Sequence, residues 1–201
     1  MSADRRDPLS FDSTDRKGLK GLLWAGALVV VGLDIVAPVL AGLAGEPIHA
    51  EISGRVTMAG LAPGVTVDNP ASVLVAIADP TVAQRVLVSL PGALVAVAVV
   101  IVVRLLLGLL GDLRDEPFTP RNVRRLRSIA VVVGSTALVV PLVEAICDVT
   151  LADPEALGEG VRRVFELSVP LAFLALVLVI AAIAEAFRHG VALRADTDGL
   201  V

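Results

Sequence analysis

The sequence predicts an all-α transmembrane protein: a four-helix membrane bundle with a small extracytoplasmic, β-containing loop between helices 1 and 2. Three observations lead there. Residues 21–43, 86–110, 129–146 and 167–187 form four apolar runs. Each is close to the ~20 residues that a helix rising ~1.5 Å per residue needs to cross a ~30 Å hydrocarbon layer. With 56% hydrophobic residues among 201 and a mean hydropathy of +0.84, the chain carries more apolar surface than one soluble core absorbs. Finally, Lys and Arg gather in alternate loops. Arg5, Arg6, Arg16, Lys17 and Lys20 precede the first run, and Arg114, Arg121, Arg124, Arg125 and Arg127 separate the second from the third. The other two loops hold only Arg55 and Arg85, and Arg162 and Arg163.

Short basic loops stay on the cytoplasmic side. The expectation is therefore a multi-pass protein of a bacterial cytoplasmic (inner) membrane, with N-terminus and C-terminus both cytoplasmic. The net charge of −4 says little about partners, because the positive side chains are concentrated on one side. Abundant Ala, Val, Gly and Arg beside only two Lys fit a GC-rich bacterial genome.

In chain order, residues 1–17 are polar, mixed in charge and without periodicity, which predicts a disordered cytoplasmic segment ahead of a membrane domain at 18–201. The first run is too long for the apolar part of a cleaved signal peptide. Trp24 stands near its inner boundary, where an indole anchors among headgroups. Residues 45–85 form the outer loop. In it Ile48, Ala50, Ile52, Val56 and Met58 alternate with polar neighbours, and Ser72–Ala78 is a short apolar run, so both read as strands. Asp79 then caps, and Pro80 opens, the helix that becomes the second span. Thr119 and Pro120 do the same for the third, with Arg121–Arg127 as its basic approach. Asp153-Pro154 predicts a brief outer helix. Cys147, the one cysteine, has no internal disulfide partner and reads as a small buried apolar residue.

Charges inside the runs are the candidates for chemistry, because each is costly in lipid. Asp34 lies about fourteen residues into the first span and Pro38 follows four later, removing the N–H that would bond the Asp34 carbonyl and favouring a kink. Glu144 lies three residues after Pro141 at a matching depth, so Asp34 and Glu144 together are a candidate proton or cation site. The plainer alternative has Asp34 neutral and hydrogen-bonded to a neighbouring helix, and Glu144 reaching outer water with Asp148. Arg104 and Glu185 occupy matching depths near the inner side. They are a candidate interhelical ion pair, with Arg104 snorkelling to headgroups as the competitor. Arg121, Arg124, Arg125 and Arg127 are a candidate partner surface, with Asp196 and Asp198 of the tail as the acidic half of an inner clasp. The plainer reading of the same arginines is a positive-inside anchor touching anionic lipid heads.

His49 and His189 fall on opposite sides of the membrane and cannot share a metal. No Ser/His/Asp set, phosphate-binding glycine loop or metal-ligand cluster is present, so neither enzyme activity nor a cofactor or metal is expected.

Two inner segments carry a resemblance. Pro117-Phe118-Thr119-Pro120-Arg121-Asn122-Val123-Arg124-Arg125-Leu126, together with Ala184-Glu185-Ala186-Phe187-Arg188 through Leu193 and the Asp-rich end, resembles an uncharacterised bacterial family of four-helix membrane proteins, domain of unknown function 2975. The resemblance covers the spans and both inner motifs. It brings no chemistry with it, but it implies a cytoplasmic partner, a small helix-turn-helix regulator. No base-reading motif occurs in the chain itself, so direct nucleic-acid binding is not expected. Two functions follow. The first is a regulatory or signalling protein that binds that partner through its inner loop and C-terminal tail. The second is a small transporter or channel-like subunit, working through Asp34 and Glu144 and needing a homo-oligomer to build a pathway.

Overall fold

The computed structural model describes residues 13–56, 71–112, 118–151, 161–163 and 171–198. The chain runs α1 (Ser13–Val31), a π-helical turn (Gly32–Val36), α2 (Ala37–Leu43), β1 (Ile48–Val56), β2 (Ala71–Ile77), α3 (Val82–Asp112), α4 (Pro120–Leu151), β3 (Val161–Arg163) and α5 (Leu171–Asp198). Four helical stretches, Lys17–Leu43, Val82–Asp112, Pro120–Cys147 and Leu171–Leu193, are long and apolar enough to cross a membrane. Their large side chains face outward: Leu28, Leu40, Val131, Leu171 and Leu178 are all exposed. That pattern suits a solvent of hydrocarbon tails, in which apolar exposure costs nothing. The chain is a multi-pass membrane protein.

Contacts along the helices fix an up-and-down packing. Asp34 meets Gly92 while Gly42 meets Arg85, so α1–α2 and α3 run antiparallel. Leu87 bonds Cys147 while Gly108 meets Arg125, which does the same for α3 and α4. The α3–α4 and α4–α5 interfaces are the largest, α1 packs on α3, and α1 shares no comparable interface with α4 or α5. The bundle is thus an open row in chain order, with lipid-facing edges at α1 and α5.

At one end of the row sits an antiparallel sheet ordered β2-β1-β3. Ile48 pairs with Ile77 and Gly54 with Ala71, and Gly54 also pairs with Arg163. The two expected strands are present, ending at Val56, so Met58 falls outside the described residues. The third strand comes from the loop after α4, which the sequence reading left out. Three residues are too few for a period-two pattern, and only β1 makes them a strand. At its base β1 packs on α3 and α4. The helix expected at Asp153-Pro154 lies outside the described residues.

Two local expectations are corrected and a third is given its detailed form. Helix begins at Ser13 within the segment read as disordered, because Asp15 in the first turn complements the helix dipole and extending an existing helix needs no new nucleus. The start of α3 is capped by Thr81, not Asp79. The Thr81 N–H donates to Gln84 Oε1 at 2.9 Å and the Gln84 N–H donates back to Thr81 Oγ1 at 3.3 Å. This reciprocal box satisfies two orphan donors where a lone aspartate satisfies one. At Pro38 the missing donor produces a π turn, in which the Ala37 N–H reaches back to the Gly32 carbonyl, so the disruption is absorbed before the proline.

The first crossing ends in a Schellman motif, with the Glu46 N–H on the Ala41 carbonyl at 3.0 Å and the Gly45 N–H on the Gly42 carbonyl at 3.2 Å. Gly45 has φ +72°, a conformation glycine adopts without a Cβ penalty. Arg85 Nη2 donates to the Glu46 carbonyl at 2.8 Å, tying that terminus to α3.

Pro91 lies inside α3 and deprives the Leu87 carbonyl of its i+4 donor. Cys147 fills the vacancy, its Sγ 3.2 Å from that oxygen. The cysteine is buried, as its apolar reading expects, but it also serves as an interhelical donor. Cys147→Ala is expected to cost about 1 kcal/mol by leaving a carbonyl unpaired away from water, and Cys147→Ser to restore most of it. Unfolding of both variants in mixed micelles checks this. Equal loss for Ala and Ser would assign the effect to packing alone.

Candidate functional site

A buried cluster lies at the end away from the sheet, where α3 finishes, α4 starts and the second half of α5 passes. Leu109, Leu126 and Ala184 form a buried cluster from these three helices, with Phe187 packed against it. The start of α4 follows from its sequence as expected. Thr119 is the N-cap, its Oγ1 accepting the Asn122 N–H at 3.3 Å, and Pro120 is the first helical residue, where no donor is required.

That cap sets the phase of the next two turns. Asn122, Val123, Leu126 and Ile129 are buried, with Asn122 at 0% exposure, while Arg121, Arg124 and Arg127 are exposed. Arg125 falls between the two faces and turns inward. Its Nη1 donates to Asp112 Oδ2 at 2.6 Å and to Asn122 Oδ1 at 3.2 Å. Its guanidinium lies over Gly108, close enough that a Cβ there would sit 2.9 Å from Cζ.

A second contact pins the loop to α5. The Phe118 ring lies 5.3 Å from that of Phe187 at 51°, a tilted geometry favourable for two aromatic quadrupoles. It rests on Gly190, where an added Cβ would come within 2.5 Å of Phe118 Cδ1. Asp112–Arg125 and Phe118–Gly190 together hold α3, α4 and α5 as one rigid junction.

The structure separates several residues that the sequence paired. Glu185 accepts two hydrogen bonds from Arg188 Nε at 2.9 and 3.0 Å and a third from Arg188 Nη2. His189 Nε2 stands 3.4 Å away. The Arg104–Glu185 pair is therefore corrected to pairs within α5. One helical turn brings Arg188 and His189 beside Glu185 at little entropic cost, whereas Arg104 would have to reach it across a helix row in which α4 stands beside α5. Of the arginines in the expected clasp, Arg125 takes its carboxylate from Asp112 instead. Asp196 and Asp198 continue the α5 helix, and their side chains lie outside the described residues.

Asp34 is half-buried in the π turn and faces α3, where a Cβ on Gly92 would lie 3.2 Å from its own. Glu144 is exposed on α4, three residues before Cys147 and so at a similar height. Both helices pack on α3 and share no comparable interface with each other, and no contact joins the two carboxylates among the described residues. Nor does any group of three or more His, Cys, Asp or Glu there gather as a metal site.

Sequence reasoning missed Asp112, Gly108 and Gly190. Asp112 and Arg125 bracket the short inner loop thirteen positions apart, and a loop that returns the chain antiparallel brings such flanking charges face to face. Phe118 and Phe187, two of only five phenylalanines, were a further signal.

Residues 67–201 match the model of DUF2975, a protein of unknown function. The match takes in β2, α3, α4, α5 and both segments of the junction, and leaves α1 and β1 outside, a narrower extent than the resemblance drawn over all four spans. No curated protein and no solved structure matches the chain. With its junction motifs inside a match that spans most of its length, the chain belongs to the DUF2975 family.

Proposed function

We propose that this is a membrane-anchored regulatory protein that engages a soluble partner at its basic end. In this reading the basic end is cytoplasmic, as the placement of Lys and Arg favours, in a bacterial cytoplasmic membrane. One observation carries the reading. The exposed apolar surface of the row is what lipid covers, whereas the junction presents Arg121, Arg124 and Arg127 outward beside a buried three-helix cluster. Rigid presentation lowers the entropic cost of binding, and exposed arginines give charge complementarity to an acidic partner.

A sensory role for the opposite end has a physical route. The sheet rests on α3 and α4, and those two helices continue to the junction, so a displacement of β1 is transmitted as a helix shift. The partner suggested by the family resemblance is a small helix-turn-helix regulator. The transport reading needs Asp34 and Glu144 to share a site, and with α3 between their helices it has no geometric support to draw on.

Affinity capture in mild detergent with the full chain tests the proposal. Arg121→Glu with Arg127→Glu is expected to lower recovery of a specific cytoplasmic protein by more than tenfold, through lost attraction and added repulsion. Removal of residues 194–201 should lower it further. Unchanged recovery from a correctly inserted double variant would exclude the junction as the docking surface.

A further inference from the structure

Arg104 is the charge that the fold leaves unexplained. It lies in the membrane-crossing stretch of α3, is exposed, and forms none of the ion pairs found among the described residues. It stands eight residues, about 12 Å of helix, before Asp112. A guanidinium at that depth carries a large desolvation cost unless it finds an anion.

Its surroundings identify the anion. Val97, Ile101 and Arg104 follow one another at i, i+4 and i+7, all exposed on one stripe of α3. Val97 and Ile101 line one wall of a groove of about 240 Å³, and Val132, Ser135 and Val139 of α4 line the other. The hydroxyl of Ser135 is turned back onto the Val132 carbonyl at 3.0 Å, so the groove meets its occupant with an apolar surface. Toward the basic end the α4 wall continues one and two heptads on as Ser128 and Arg121, with Arg124 beside them, all exposed. Because α3 and α4 are antiparallel, both stripes reach that end together. There Arg125 lies over Gly108 and is already committed to Asp112. An apolar trough thus opens onto arginines from both of its walls.

We propose that this groove is a binding site for an anionic phospholipid, with one acyl chain along α3 and α4 and the phosphate between Arg104 and Arg124. A free phosphate would have to abandon water to reach Arg104, whereas a lipid delivers its phosphate at that depth with the chain already in hydrocarbon. The proposal is independent of any cytoplasmic partner, and Arg127, on another side of α4, has no part in it.

Native mass spectrometry of the full chain released from nanodiscs tests it, using phosphatidylglycerol and phosphatidylcholine with identical acyl chains. The wild type is expected to retain phosphatidylglycerol about thirtyfold better, as two cations each worth about 1 kcal/mol near a headgroup imply. Arg104→Gln with Arg124→Gln should abolish the preference, and Arg127→Gln should leave it intact. Ile101→Trp fills the groove without touching a charge, and should lower retention of both lipids. Millimolar inorganic phosphate should displace neither lipid. Equal retention of the two lipids by the wild type, an unchanged preference in the double variant, or displacement by free phosphate overturns the proposal. So does quantitative disulfide cross-linking of a Ser135→Cys variant in the same nanodiscs, which would put a second copy in the groove.

Discussion

Arg125→Ala is expected to destabilise the protein by about 2 kcal/mol, roughly a thirtyfold shift in the folding equilibrium, more than loss of any other arginine on the same helix. The pair it breaks is only partly shielded, with Arg125 at 17% and Asp112 at 34% side-chain exposure, so the cost falls below that of a fully buried ion pair. Two further losses add to it. Asn122 is at 0% exposure and forfeits one hydrogen bond to its Oδ1, and the space above Gly108 empties. Arg124→Ala, whose guanidinium is exposed, should change stability by a few tenths of a kcal/mol at most. Unfolding titrations in mixed micelles measure both. A cycle combining Arg125→Ala with Asp112→Ala isolates the pair, and a coupling within error of zero would show that Arg125 contributes only through packing.

The second large effect is a difference in sign between two identical substitutions. Glycine inside a helix is ordinarily about 1 kcal/mol less favourable than alanine. At Gly26, with nothing within 4 Å of an added Cβ, alanine should stabilise by that amount. At Gly190 the same methyl meets Phe118, with Cδ1 at 2.5 Å and Cγ at 3.1 Å. These atoms belong to the body of a ring and cannot yield as the tip of a flexible chain does. The ring must leave Phe187, losing both the aromatic contact and the packing beneath it, at about 2–3 kcal/mol. Overpacking exceeds propensity, so Gly190→Ala should be net destabilising by about 1–2 kcal/mol. Equal signs at the two positions would mean that Phe118 does not rest on α5. Loss of the junction should also weaken partner capture in the Gly190→Ala protein, because the arginine-bearing turns of α4 would no longer be held against α5.

The crossings were legible because the bilayer imposes a length and an apolar composition that single residues declare on their own. Thr119 and Pro120 were legible for a related reason, since a cap is satisfied within three residues of itself. The Thr81–Gln84 box carried an equally local signal and was passed over for the more conspicuous Asp79-Pro80. Pairings between helices were another matter. Arg104 and Glu185 were matched by depth, but depth leaves open which helices are neighbours, and Glu185 found its partners one turn away on α5. The same holds for Asp34 and Glu144. Their similar height was readable from the distance to each boundary, while the position of α3 between their helices was not.

The sequence by itself determined that the chain spans a membrane, how many times it crosses, and which end is basic, because hydrophobic transfer and helix capping act on residues one at a time or over a few neighbours. Only the tertiary structure decided that the helices stand in an open row, that Arg125 belongs to Asp112, that Cys147 answers the gap made by Pro91, and that Arg104 borders a groove. Those outcomes depend on register between segments distant in the chain, and register is set by the joint packing of all the helices.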